Sequence, residues 1–434
     1  MSHPLSQAYI SRRAVLRSGM LSLATALWSL SSCGSSVPSP SGHNACDRVT
    51  PSSSDPISIQ FLYSTEKDAW LQDAKKVFEQ TNLQCGGRQI HIDLQDVGSW
   101  DLVSQILNNS YPHVVACSPA SELELSRLDD LWKKKNGQFI VNHSTPLEPR
   151  SLVQSPLVFA IWKEFADVLM NHYHRIDWDT LYQALQLPNG WIDLGLPKRG
   201  PQIHLGQTLP TESNSGLMAI TLMACAYLKQ NNKPQSTLTV EEIMHDTRLW
   251  DYVGTFDDNH VNVYGKSSGT YWDRVIDLGP AQYAIIFTYE SLVLLYNQHR
   301  MPDQPQMEMF YPEQNVLNDH PFAILDNHHL PNKQLQEQQA AALAFRTFLL
   351  EKDQQKAALR YGFRPGDFTY PLADPGKNDP DNPFDQLKPT NKVSSLSPAH
   401  ALDDDINYIN PIEGNAVNAL ITQWSNRYPD PNSI

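Results

Sequence analysis

Along residues 57–365, short runs of β-branched and aromatic residues alternate with segments of helical period. The first pair sets the pattern. Ile57–Tyr63 (ISIQFLY) has the composition of a strand, and Asp68–Gln80 puts Trp70, Leu71, Ala74, Val77 and Phe78 on one face, the pattern of an amphipathic helix. Further strands are predicted at 90–94, 113–117, 261–264, 283–287 and 322–325, and Leu157–Trp162 is another apolar run. Helices are predicted at 100–107, 217–228, 270–276, through 336–360 as one or two pieces, and at 416–427. Residues 217–228 are apolar on every side, which requires a buried helix. Thr239-Val240-Glu241-Glu242 is a capping box that opens the next one. Strands alternating with helices predict an α/β fold with parallel sheets covered on both faces. Residues 366–400, rich in Pro, Asp and Asn, read as an extended wrap.

In open α/β sheets, ligands bind beyond the carboxyl ends of strands, where helix N-termini present free N–H groups. Five turns occupy such places: Ser64-Thr65-Glu66, Ser118-Pro119-Ala120-Ser121, Pro210-Thr211-Glu212-Ser213-Asn214-Ser215-Gly216, Gly265-Lys266-Ser267-Ser268-Gly269 and Tyr289-Glu290. Four of them are rich in hydroxyls. They offer hydrogen bonds to a guest without a fixed charge, although Ser, Thr and Asn also cap helices with no ligand present. The Ser213-Asn214-Ser215-Gly216 turn, at the mouth of the apolar helix, is the best candidate.

The N-terminal segment carries an address. Ser11-Arg12-Arg13-Ala14-Val15-Leu16-Arg17 precedes an apolar stretch at 20–30, too short for the roughly 18–20 residues of a spanning helix. That order is an export signal over 1–32, and its arginine pair resembles a twin-arginine signal. Leu30-Ser31-Ser32-Cys33-Gly34 resembles a bacterial lipobox, which makes Cys33 the lipidated residue and 33–56, rich in Ser, Pro and Gly, a flexible tether. In an oxidising compartment Cys46 and Cys85, both in loop-like sequence, are expected to pair. Cys117 and Cys225 read as buried thiols. The net charge is −14, and the arginines of 1–32 make the remainder more acidic still. A nucleic-acid binder needs a basic face, so that class is excluded.

Several stretches together resemble the type II periplasmic solute-binding proteins, in particular the sulfate/molybdate-like branch of bacterial extracellular solute-binding proteins. These are PTESNSGLMAI, HVNVYGKSSGTYWDRVIDLGPAQYAIIFTYESLVLLY, NDHPFAIL and AFRTFLLEKDQQKAALRYGFRP, in the family's order. The resemblance implies two α/β lobes joined by two crossover strands with a ligand cleft between them. Lobe 1 would comprise 57–155 and return at 320–434 with the C-terminal wrap and helix, and lobe 2 would comprise 156–319. It implies ligand contacts at Ser64, Thr65, Ser118, Ser213, Asn214, Ser215, Gly216, Ser267, Ser268 and Tyr289. It also implies reversible capture of a small polar solute by a monomer that docks on ABC permease subunits, with no cofactor, no metal and no covalent chemistry.

The sequence departs from the sulfate-type pattern at two turns. Gly265-Lys266-Ser267-Ser268-Gly269 stands where those proteins have Gly-Ala-Arg-Gly, and Tyr289 stands where they have Trp. Glu66 and Glu290 are further candidates to face the cleft. Inward-facing carboxylates oppose a bare dianion and favour a neutral or cationic solute, whereas outward-facing ones leave room for an oxyanion. Two other readings compete. Gly265–Gly269 satisfies G-x-S-x-G, the nucleophile elbow of α/β-hydrolases, and Asp319-His320 follow it, as in a secreted esterase. The third reading is a tethered surface assembly protein without a ligand.

Overall fold

The computed structural model describes residues 43–47, 49, 51, 53–235, 238–258, 260–367, 370–372, 379–385, 406, 408–409 and 412–429. The export signal at 1–32, the lipidation site Cys33, much of the tether and most of the C-terminal wrap lie outside the described residues.

The short helix α1 (His43–Cys46) precedes β1 (Ile57–Tyr63), which passes through a tight 3-10 turn at Thr65–Lys67 into α2 (Asp68–Gln80). Next come β2 (Gln84–Cys85), β3 (Arg88–Asp96), α3 (Ser99–Leu107), β4 (Val114–Ser118) and α4 (Glu122–Asn136). Short strands β5 (Arg150–Ser151) and β6 (Val153–Gln154) lead to β7 (Leu157–Trp162). The second region holds α5 (Lys163–Tyr173), α6 (Trp178–Leu185), β8 (Leu205–Gly206), α7 (Asn214–Gln230), α8 (Val240–His245), α9 (Thr247–Asp257) and α10 (Ser268–Leu278). It closes with β9 (Ile285–Tyr289), α11 (Glu290–His299) and β10 (Met307–Phe310). β11 (Pro321–Ile324), α12 (Asn332–Leu349), α13 (Lys352–Leu359) and β12 (Arg364–Pro365) return to the first region, and α14 (Gly414–Arg427) comes last.

Two lobes form around two sheets. The first sheet runs β2-β3-β1-β4-β11-β5 and the second β10-β7-β9-β8. The period-2 alternation of β1 divides its side chains between two cores. Ile59, Phe61 and Tyr63 join Phe78 and Phe345 on one face, and Leu62 joins Leu102, Val103 and Leu128 on the other. Each such side chain, fully buried, contributes about 1.5–3 kcal/mol. In α2, Trp70, Leu71, Ala74 and Phe78 are buried, while Val77, expected on the same face, is 45% exposed. Helix α7 is buried from Asn214 to Leu228, as its uniform apolarity requires. Thr239 caps α8 by accepting from the Glu242 N–H.

The parallel expectation holds for only part of each sheet. β1 pairs in parallel with β3 and β4, and β8 with β9, whereas β11 runs antiparallel to β4, and β7 antiparallel to both β9 and β10. The strands that enter from the crossings, β7 and β11, are reversed, as is the short edge strand β2, which runs antiparallel to β3. Residues 261–264 are not a strand. This segment meets 205–209 at its two ends, through Leu205 N–H to His260 O and Gly265 N–H to Gln207 O, and bends at Asn262 and Val263 between them.

The outgoing and returning crossings lie side by side. Ser155 N–H donates to Asn318 O, Leu152 N–H to His320 O, and the Asn318 amide to Ser155 O. The chain then crosses a third time. β12 pairs with β6, Leu372 and Phe384 pack with Leu294, and α14 buries Val417, Leu420 and Trp424 in the core of the second lobe. This C-terminal helix, expected with the return to the first lobe, packs instead on the second. Cys46 and Cys85 form a disulfide that ties the segment before β1 to β2. Cys117 and Cys225 are free and buried. Among the described residues, no helix is long and apolar enough to cross a membrane.

Candidate functional site

The strand-to-helix turns of the two lobes meet. Helix α7 begins at Asn214 after Ser213, and α10 begins at Ser268 after Ser267. Both starts come from the second lobe, and their hydroxyls interlock. Ser215 Oγ lies 2.8 Å from Ser268 Oγ and 2.7 Å from Thr208 Oγ1, and Ser213 Oγ lies 3.4 Å from both Ser215 and Ser268. The first lobe supplies the opposite wall. Thr65 Oγ1 accepts from Gly269 N–H at 3.1 Å, and Ser121 Oγ donates to Asn214 Oδ1 at 3.3 Å. A Cβ added to Gly269 would lie 2.9 Å from the Thr65 backbone, so glycine permits this approach. Trp100 and Ala120 of the first lobe pack into the second lobe's core. The lobes are therefore in a closed arrangement.

Asn214 is the junction of the cluster. Its amide donates to Tyr289 Oη at 2.9 Å and to Asn318 Oδ1 at 2.8 Å, which links a turn, a strand end and the returning crossing. Ser118 ends β4, and its hydroxyl reaches His320 O at 3.5 Å. Gly216 has a packing reason of its own, because a Cβ there would come within 2.2 Å of Thr208 O. Ser267 Oγ pairs with Thr270 Oγ1 at 2.5 Å.

Beside these hydroxyls lies a buried charged group. Lys67 is fully buried, and its ammonium contacts Ser64 Oγ, Pro119 O at 3.2 Å, His320 Nδ1 at 3.1 Å and Glu66 Oε1 at 3.5 Å. Ser64 also bonds Glu66. Burial lowers the Lys67 pKa to about 8 against the pull of Glu66, Glu124 and Asp319, so the amine is protonated at neutral pH. Burial opposes ionisation of Glu66, yet Lys67, His320 and Ser64 outweigh it and hold the carboxyl at about 2. Burial and Lys67 together lower His320 to about 4, leaving a neutral ring. Its Nδ1 lies 3.1 Å from the Lys67 ammonium and 3.2 Å from Glu66 Oε1. Burial lifts Glu124 to about 7, and burial with Glu122 nearby lifts Asp319 to about 7. Burial foremost, with Glu66 adding to it, raises the Tyr289 phenol well above its ordinary value.

Glu290 belongs to a different group. Its carboxylate accepts from Arg364 Nε at 2.7 Å and Nη2 at 2.8 Å, and from the Tyr311 hydroxyl. The esterase geometry is not assembled either. Ser267 is bonded to Thr270, His320 to Lys67 and Glu66, and Asp319 accepts from Glu122 N–H at 3.0 Å, so these three residues form no relay. Among the described residues, no group of three or more His, Cys, Asp or Glu side chains is placed to hold a metal ion.

The sequence profile of the bacterial extracellular solute-binding proteins matches residues 59–364, which span both lobes and the hydroxyl turns. The chain belongs to this family. Solved structures share its fold. A periplasmic thiamin binding protein is 11% identical, with a TM-score of 0.52, covering 89% of this chain and 99% of its own. A chitin oligosaccharide binding protein is 13% identical, with a TM-score of 0.52, covering 87% and 96%. Maltose-bound MalE3 of T. maritima is 13% identical, with a TM-score of 0.51, covering 85% and 99%. No curated protein sequence matches the chain.

Sequence reasoning names most of this solute-binding protein's clustered hydroxyls, Ser121 among them within its turn, but not Lys67, Glu124, Asn318 or His320 as members of the cluster. Glu124 has a readable signal. Ser121-Glu122-Leu123-Glu124 is a capping box, and the structure shows Ser121 and Glu124 in that arrangement at the start of α4. Lys67 and His320 had none, because each is defined by a partner 253 positions away.

Proposed function

We propose that this protein is the lipid-anchored solute-binding component of an ABC-type uptake transporter. It captures a small polar solute by hydrogen bonds where the turns of its two lobes converge. Family membership gives solute binding and implies export. The observation that supports the finer reading is the hydroxyl and amide cluster of Ser213, Ser215, Ser268, Asn214 and Tyr289, closed by Thr65 and Ser121 from the other lobe.

Opening would bend the paired crossings near Ser155–Pro156 and Asp319–His320, separating Gly269 from Thr65 and Asn214 from Ser121. A solute favours closure only by its greater affinity for the closed form. The closed monomer would dock on permease subunits while a lipid on Cys33 holds it at the membrane. The test is a calorimetric and thermal-shift screen of the full-length protein in detergent over sugars, amides, amino acids and oxyanions. A bound solute should lose about 1–3 kcal/mol of affinity in Ser213→Ala, Ser215→Ala and Tyr289→Phe where a buried hydrogen bond is orphaned. Undiminished affinity in all three would move the site elsewhere. Cys33→Ala should appear in the soluble fraction, and its retention on membranes would refute the anchor.

A further inference from the structure

The solute-capture reading leaves the charge of the guest open, and the buried groups beside the hydroxyls bear on it. Lys67 is a fully buried ammonium beside the cluster, and its three N–H groups are surrounded by Ser64 Oγ, Glu66 Oε1, Pro119 O and His320 Nδ1. An incoming anion would have to displace one of these neighbours, and Pro119 O, which accepts from Lys67, would then lose that bond in a buried site, where unpaired polar groups are costly. Lys67 is also balanced by Glu66, the carboxylate held ionised beside it. Glu66, Glu124 and Asp319 all act on it, and Glu66 and Glu124 both act on the Tyr289 phenol. A sulfate-like dianion placed among Ser213, Ser268 and Tyr289 would meet these carboxylates, and the Lys67 ammonium beside them is already committed.

What remains beside this saturated pair is a set of two-way groups. Thr208, Ser213, Ser215, Ser268 and Tyr289 each carry a hydroxyl that both donates and accepts, and Asn214 offers both an N–H and a C=O. They now satisfy one another at 2.7–3.4 Å. A guest that donates and accepts at several points can replace these contacts one for one. An anion only accepts, and would demand that every hydroxyl turn its proton inward.

We propose that the solute is an uncharged polar molecule rich in hydroxyl or amide groups, and that Glu66, by neutralising Lys67 inside the site, excludes sulfate-like dianions; this rests on the solute-capture reading above. Glu66 is then a specificity-determining residue.

The experiment is isothermal calorimetry of the full-length protein in detergent. The probes are sulfate, molybdate and phosphate in one panel, and uncharged polyols, sugars and amides in another, with choline and spermidine as cationic probes. The wild type should bind none of the oxyanions at millimolar concentration. Glu66→Gln keeps the side chain's shape and frees the charge of Lys67, so it should gain affinity for sulfate or molybdate by at least about tenfold, or 1.4 kcal/mol. That gain should vanish in E66Q/K67Q and in E66Q/S213A/S268A. Binding of an uncharged probe by the wild type supports the proposal. Binding of an oxyanion or of a cationic probe by the wild type overturns it, and this arm does not depend on whether any variant folds. An E66Q protein that folds, by circular dichroism, without gaining oxyanion affinity also overturns it, as does a gain that survives S213A/S268A. The two readings fail differently. If the wild type binds nothing while E66Q gains an oxyanion, charge exclusion stands and solute capture falls.

Discussion

Two glutamates sit at equivalent places in the chain, each just after a strand that ends beside the crossings, and they have opposite surroundings. Glu290 is held by the planar fork of Arg364 at 2.7 and 2.8 Å, with Tyr311 as a third donor. Glu66 faces a lysine at 3.5 Å, a serine and a neutral histidine, at an interface between two lobes. A bidentate guanidinium fixes geometry and cannot lose its proton, whereas an ammonium is a point charge whose pKa responds to burial. The first pair suits a permanent clasp between the third crossing and the second lobe. The second suits a place where contacts must be made and released.

The sharpest way to break this comparison is to remove each cation. Arg364→Met should cost about 3–5 kcal/mol in urea unfolding, since it strands a fully buried carboxylate. Lys67→Met should cost less, about 1–3 kcal/mol, because Ser64 still donates to Glu66 and lobe opening admits water. Equal costs in the two variants would mean that the cleft pair is as permanent as the clasp.

The pH response sharpens the same contrast. Glu124 and Asp319 have folded values of about 7, above those of an unfolded chain. Such groups hold their protons in the native state after the unfolded chain has released them. Their stabilisation is therefore full below the ordinary carboxylate range and is lost as pH rises toward about 7. Glu66 has the reverse sign, and its contribution is present above the ordinary carboxylate range and is lost as pH falls toward about 2. The urea midpoint should fall between about pH 5 and pH 8, and Glu124→Gln should remove about 1 kcal/mol of that fall. An unchanged slope in E124Q would place the loss elsewhere. The smallest effect belongs to Gly269→Ala. Its methyl would press on Thr65, so it should shift the protein toward an open form, raising the radius of gyration in small-angle scattering while changing stability by less than about 1 kcal/mol. An unchanged radius would argue against the closed contact.

What could be read from the sequence follows from the range over which each feature is decided. Asp68–Gln80 and Leu157–Trp162 match their predicted bounds because a periodic face or a continuous apolar run is a local signal. The hydroxyl turns were visible for the same reason. Strand direction was not, because β7 and β11 are reversed by where the crossings enter their sheets, which no window of residues reports. Nor could Glu66 and Glu290 be told apart. Each is a glutamate after a strand, and the difference lies in His320 and Arg364, both far along the chain.

The disulfide between Cys46 and Cys85 decides which half of the molecule is held from the N-terminal side. Cys85 belongs to the edge strand of the first sheet, so under the proposed anchoring a pull arriving at Cys46 would enter the molecule through that half. Such a load would fall on one jaw and need not pry the two apart.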